Sequence, residues 1–323
     1  MSSARSFFPR LARRLGPPSR LRSVYERVLG TELEVQVVAD TRARAEEAER
    51  AALDEIDRLT LILNRFDPAS ELRRWQTRPG KRVALSPDLL HVLRAADRWR
   101  EATGGAFHPG ADALGAVWKR AEETGEVPDE TELTDLAERL RDPPWTLHPD
   151  DTATLHATYP LGLNALAKGY VVDRAAGAAF ASAGVRAVLV NAGGDLRTVG
   201  GSGLTVAVAD PFSRQDDLPP LCRVHVRGGA LATSGDTHRG YRVGEAWHSH
   251  LLDPRTGWPV SALPGVTVTA PDCLTADVLA TALSVLGVEG GLALTEATPG
   301  AAALIVTRDG ERHASARWVA RPP

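Results

Sequence analysis

Apolar residues recur along this chain with two periods, and the changes between them mark out its elements. Over residues 31–38 apolar and polar positions alternate, as in a half-buried strand. From Arg42 to Leu63 charged residues interrupt an apolar face carried by Ala52, Ile56, Leu59 and Leu63, which predicts an amphipathic helix. Asp67-Pro68 predicts a turn, and Ser70 the cap of a short helix through Glu71 and Leu72. Ser86-Pro87 opens another helix with Leu90, Val92, Leu93 and Ala96 inward. Residues 104–110 read as a loop, 124–144 as a charged, weakly periodic, peripheral stretch, and 145–157 as two short strands.

In the second half, residues 161–196 read as a helix capped by Asn164, a stop at Gly184, a strand over 186–190 and a tight Gly193-Gly194 turn. Alternation predicts strands over 204–209 and 221–226, Gly228-Gly229 separates the latter from 230–233, and 266–270 reads as a strand. Asp272 is expected to cap a helix that reaches Leu286, stops at Gly287 and resumes to near Ala297. Residues 302–306 and 312–319 read as a closing hairpin on Asp309-Gly310. Helices interspersed with hairpin-paired strands favour an α+β core of mixed sheets over a parallel array. The expected organisation is a basic, flexible leader over 1–22 and one domain over 23–323, divisible into two lobes near 125–160.

Composition adds exclusions. With 323 residues, 43% hydrophobic and 24% charged, the chain supports an ordered core. Its 38 basic and 41 acidic residues give a net charge of -3, which offers no global attraction to nucleic acid or an anionic membrane. Cys222 and Cys273 are too few for a disulfide framework or a cysteine metal cluster, which favours a reducing compartment. The proline-punctuated N-terminus lacks the apolar core of a secretory signal and a lipidation cysteine, and no later stretch is an uninterrupted apolar span of about 18 residues. A cytoplasmic location without an integral membrane segment is therefore expected, with peripheral membrane association through residues 5–22 as the lesser reading.

Candidate chemistry is sparse. Asp277 and Thr281, four apart on a helix, project from one face and can offer two oxygen ligands to a hard cation, Mg²⁺ if phosphate is present; a helix-stabilising pair is the plainer reading. His250, ahead of LLDPRTG, is suited to accept a hydroxyl proton or to serve structure. Lys168, Asp173 and Asp195 stand in apolar surroundings and each needs a partner or solvent. Asp195 suits a base, a sugar or an Asx turn. Neither GxxxxGK[ST] nor GxGxxG after a strand occurs.

The ordered set NALAKGYVVD (164–173), NAGGDL (191–196), TSGD (233–236), HLLDPRTG (250–257) and TADVLATALSVLG (275–287) resembles the ApbE family of FAD:protein FMN transferases. LGT (29–31), NRFDPASEL (64–72) and GGAFHPG (104–110) extend the likeness to roughly residues 25–310. The resemblance implies a T-fold-like α+β architecture with a flavin-nucleotide cleft. It implies an Mg²⁺-dependent enzyme that cleaves FAD, joins FMN by a phosphoester to a threonine or serine of a target flavoprotein and releases AMP. On this likeness Asp277, Thr281 and the Ala165 carbonyl hold the metal, and His250 takes the target's proton. FAD is held by Lys168, Leu29, Phe66, Asp67, Ser70, His108, Gly193, Gly194, Asp195, Ser234, Gly235, Asp236 and His250. Three positions depart from the pattern: Leu29 for a methionine, Gly162 for an aspartate, and His108 for the aspartate of GAFD. The alternatives are hydrolysis of FAD to FMN and AMP, and flavin binding without chemistry.

Overall fold

The computed structural model describes residues 17–213, 219–235, 240–260 and 263–321. Its chain opens with a hairpin of β1 (Ser19–Val28) and β2 (Thr31–Ala39), followed by α1 (Arg42–Leu63), α2 (Glu71–Gln76), β3 (Arg82–Ala84) and α3 (Pro87–Ala102). Helices α4 (Ala111–Thr124) and α5 (Glu130–Arg139) lead to β4 (Trp145–Leu147), β5 (Thr152–Leu155) and α6 (Asn164–Ala181). Then come β6 (Val185–Ala192), β7 (Asp195–Gly200), β8 (Leu204–Val208), β9 (Cys222–Val226), β10 (Ala230–Ser234), β11 (Gly240–Val243), β12 (Ala246–Ser249) and β13 (Gly265–Ala270). Helix α7 (Cys273–Ala297), β14 (Ala302–Val306) and β15 (Arg312–Ala314) close the chain.

Eight strands form one sheet in the order β1-β2-β6-β7-β10-β13-β14-β15, every neighbouring pair antiparallel. Three small sheets, β3-β5-β4, β8-β9 and β11-β12, stand beside it. This is the α+β arrangement the patterning favoured. Helices α1, α6 and α7 cover the main sheet, with α6 packed against both of the others. Their contact surfaces are small: Ala45, Ala48 and Ala52 on α1 and Ala175, Ala176 and Ala179 on α6 are fully buried. Small side chains let the helix axes approach, while Ile56 and Leu59 fill the remaining space at about 1.5–3 kcal/mol for each large apolar side chain buried. Helix α7 is long and apolar enough, by length and composition, to cross a membrane; here it packs on α6, β10 and β13 and breaks at Gly287, where φ is 77°.

Four expectations change. Strand β1 begins at Ser19, inside the stretch read as leader, because Ser19 through Tyr25 pair in register with Ala39 through Leu33. Helix α4 stands where no helix was read, and α5 lies within the stretch read as peripheral, started by Asp129 and burying Leu133, Leu136 and Ala137. Together with Val243 and Leu252 the two helices build a second core around Trp118, whose Nε1 donates to the Gly257 carbonyl at 2.9 Å. That unit joins residues of 113–140 to Val243 and Leu252 in one cluster. Finally, Asn164 does not cap α6: it is the first helical residue, preceded by Leu163, which makes no side-chain capping bond.

Candidate active site

The site is built where α6 crosses α7. A side chain on Gly169 would put its Cβ 2.6 Å from the Cys273 carbonyl carbon, so the crossing requires glycine. At this contact the Gly169 N–H donates to Asp277 Oδ2 at 3.2 Å. One turn further along α6, Asp173 accepts the Cys273 and Leu274 N–H groups at 2.8–2.9 Å, and Asp272 accepts that of Thr275 at 2.8 Å. The start of α7 is thereby closed by carboxylates from two helices.

The start of α6 is different. Leu163 is buried and apolar and makes no side-chain capping bond, and Asn164 and Ala165 open onto a cavity of about 1030 Å³. The β6–β7 turn brings Asp195 to the same place. Gly193, at φ 61°, packs on Thr31, and Gly194 donates to Asn191 Oδ1 at 3.0 Å. Asp195 then reaches Lys168 Nζ at 2.5 Å, answering the sequence's question of what each of these two charges pairs with.

Charge is concentrated here. Burial raises the Asp277 carboxyl well above the usual carboxylate range and the charge of Asp195 adds to the rise, while Lys168 and the Gly169 N–H oppose it. Burial likewise raises Asp195, with Lys168 opposing. For Lys168 burial pulls downward, but Asp277 and Asp195 outweigh it and hold the ammonium above the ordinary lysine value. Two buried carboxylates thus share one lysine, an arrangement that a further cation would stabilise.

Leu29, Phe66, His108, Ala165, Lys168, Gly193, Asp195, Ser234, Gly235, His250, Asp277 and Thr281 all wall this one cavity. Leu29 holds the left-handed conformation, φ 53°, at the tip of the β1–β2 hairpin. His108 is buried; desolvation lowers its pKa to about 4, Arg100 adds to the drop and the Leu140 carbonyl opposes it. Its Nδ1 accepts the Gly110 N–H at 2.8 Å, so the neutral ring is part of the loop's own structure. Asp67, Ser70 and Gly194 are not among the walls. Ser70 is fully buried and uses its hydroxyl on its own helix start, accepting from Arg73 N–H at 3.2 Å and donating to the Asn64 carbonyl at 2.6 Å. Asp67 accepts the Ala69 N–H at 2.8 Å. Asp236 lies outside the described residues. The sequence reading passed over Arg65, Asp112 and Tyr241, which also line the cavity. Arg65 and Asp112 form an ion pair. Asp112 escaped notice because its helix has no polar cap to announce it.

Residues 29–305 match the model of the ApbE family. A FAD:protein FMN transferase of Treponema pallidum is 30% identical over 322 residues, spanning 92% of this chain and 87% of its own. Another, from Vibrio cholerae, is 30% identical over 267 residues and 79% of each chain. Among solved structures, an ApbE protein from Thermotoga maritima superposes with a TM-score of 0.79 at 28% identity, covering 93% of this chain and 97% of that one. The apo flavinyl transferase ApbE of Pseudomonas stutzeri gives 0.75 at 25% identity over 94% of each.

Proposed function

The chain belongs to the ApbE family, and from that premise we propose that it transfers the FMN portion of FAD to a threonine or serine hydroxyl of a target flavoprotein, releasing AMP. The observation that carries this reading is the convergence of Ala165, Lys168, Asp195, His250, Asp277 and Thr281 on one cavity at the open start of α6. Its volume lies at the upper end of ligand cavities, about 300–1000 Å³, and suits a dinucleotide.

The wall charges speak to what accompanies the substrate. Among the described residues they are the carboxylates Asp112, Asp195, Asp210 and Asp277 and the permanent cations Arg27, Arg65 and Lys168. Four carboxylates against three cations leave the walls without net positive charge, so the walls alone do not neutralise a diphosphate. The buried Asp277 carboxylate, the Thr281 hydroxyl and the Ala165 carbonyl are hard oxygen donors that fit Mg²⁺, and no cluster of three or more His, Cys, Asp or Glu offers another site among the described residues. Bound there, the ion would neutralise phosphate charge and make the phosphorus more electrophilic.

The chain's own groups do the rest. The Asn164 and Ala165 N–H groups at the start of α6 donate to phosphate oxygens, favoured by the helix dipole. His250 takes the proton of the acceptor hydroxyl. The acceptor oxygen bonds to the FMN-side phosphorus as the bond from that phosphorus to the bridging oxygen breaks, and AMP departs. The test incubates pure protein with FAD, MgCl₂ and a flavoprotein domain bearing candidate threonines. Covalent flavin on the target with equal AMP is expected; FMN and AMP without labelled protein would mean hydrolysis, and intact retained FAD a binding role.

A further inference from the structure

Gly162 is the position at which this chain departs most plainly from its pattern, and the backbone does not explain it. Its φ is not positive, so an ordinary residue would fit the conformation. What forbids a side chain is Asp112: a Cβ at 162 would overlap its carboxylate, with Oδ1 only 2.9 Å away. The Gly162 N–H is tied to the Pro109 carbonyl at 2.8 Å, which keeps the two segments together. Asp112 sits in the first turn of α4, where the helix dipole favours a negative charge. It pairs with Arg65, whose guanidinium also lies 4.6 Å from the centre of the Phe66 ring. Arg65, Phe66, Asp112 and Gly162 all line the cavity.

A guanidinium presents five N–H donors in a planar fork that matches phosphate oxygens, and a carboxylate occupies only part of that fork. The seat of Asp112 is three residues ahead of Ala165, beside the helix start that opens onto the cavity. Lys168 is already held by Asp195.

We propose that Arg65 is an anion-binding group for the diphosphate of FAD, that Asp112 is the positioning residue that holds it at the cavity wall, and that residue 162 is glycine because a side chain there would expel Asp112. The proposal rests on the flavin-nucleotide reading above. It makes affinity for the anionic part of the substrate depend on three segments spaced along the chain, with none of the three residues acting as acid, base or nucleophile.

Binding of FAD, ADP and riboflavin, at fixed MgCl₂, is measured by calorimetry for the wild type and for Arg65→Gln, Asp112→Ala, Gly162→Ala and the double variant Asp112→Ala/Gly162→Ala. Arg65→Gln is expected to weaken FAD and ADP about tenfold, the loss of one charge-assisted contact, and to leave riboflavin within about twofold. Asp112→Ala and Gly162→Ala are each expected to weaken FAD and ADP roughly three- to tenfold with the same indifference to riboflavin. The double variant should be no weaker than Asp112→Ala, because removing the carboxylate makes room for the methyl. Equal losses for riboflavin, or a Gly162→Ala cost that is the same in both backgrounds, would overturn the proposal. If Gly162→Ala does not fold, recovery of the fold in the double variant supports the interlock, and failure of both overturns it. Variants that bind like wild type while FMN transfer proceeds sink the inference and leave the functional reading standing. A wild-type protein that binds neither FAD nor ADP overturns both.

Discussion

Helices α4 and α6 begin differently from the other five described helices. Thr41, Ser70, Ser86, Asp129 and Asp272 each accept a backbone N–H at the start of α1, α2, α3, α5 and α7. Gly110 and Leu163, ahead of α4 and α6, make no such bond, and the first helical residues Ala111 and Asn164 line the cavity; at α4 the His108 ring and carbonyl accept the Gly110 and Ala111 N–H groups instead. Every helix start has N–H groups without intrahelical partners; where the chain supplies no acceptor, an anion can. The contrast separates ends that hold the fold together from the start of α6, which is left for chemistry. It is sharpest between α6 and α7, which touch at Gly169: one is open, and the other is closed by Asp272 and Asp173.

The contrast breaks first if α7 proves to be only structural. Asp277→Ala is expected to lower FMN transfer, followed as AMP release, by about 100-fold or more, while thermal melting stays level or rises because a buried charge is gone. A large drop in melting temperature with activity retained would reverse the assignment. Next in size, Asp173→Ala leaves the Cys273 and Leu274 N–H groups without their acceptor; urea unfolding should show a loss of about 2–3 kcal/mol.

His108 sharpens the comparison at α4, since its neutral ring accepts the Gly110 N–H. Its folded pKa, about 4, lies below the ordinary 6.5. Unfolding therefore binds a proton between those values. The stability this group contributes is present above pH 6.5 and is lost as pH falls toward 4, at up to about 1.4 kcal/mol per pH unit. His108→Asn, which keeps an acceptor and cannot titrate, should flatten that part of a stability–pH curve. The smallest effect is expected from Asp272→Ala, about 1 kcal/mol in the same unfolding assay, as for an ordinary cap. A loss as large as that of Asp173→Ala would show that the two carboxylates act as one unit.

Much of this was legible in the chain because the signals were local. Helix α1 has the bounds its periodicity predicts, Ser86 and Asp272 cap as expected, and Gly287 interrupts α7. The misses have one physical origin. Helix α4 starts without a polar cap, after a glycine- and proline-rich loop, so nothing in its sequence announces a beginning. The partnership of Lys168 with Asp195 and the reason for Gly162 depend on residues that only tertiary packing brings together. Ser70 was legible for the same local reason as Ser86 and Asp272: it caps its own helix, as its place ahead of Glu71 and Leu72 predicts.

The bond from Gly169 to Asp277 joins positions 108 residues apart. Chains grow on the ribosome at about 5–20 residues per second, so roughly 5–20 s separate the synthesis of its two ends. Throughout that interval the nascent chain carries the open start of α6 but lacks the carboxylate beneath it, and α6 has no α7 to pack on. The contact between α6 and the buried carboxylate of α7 is therefore among the last parts of the site to come into existence.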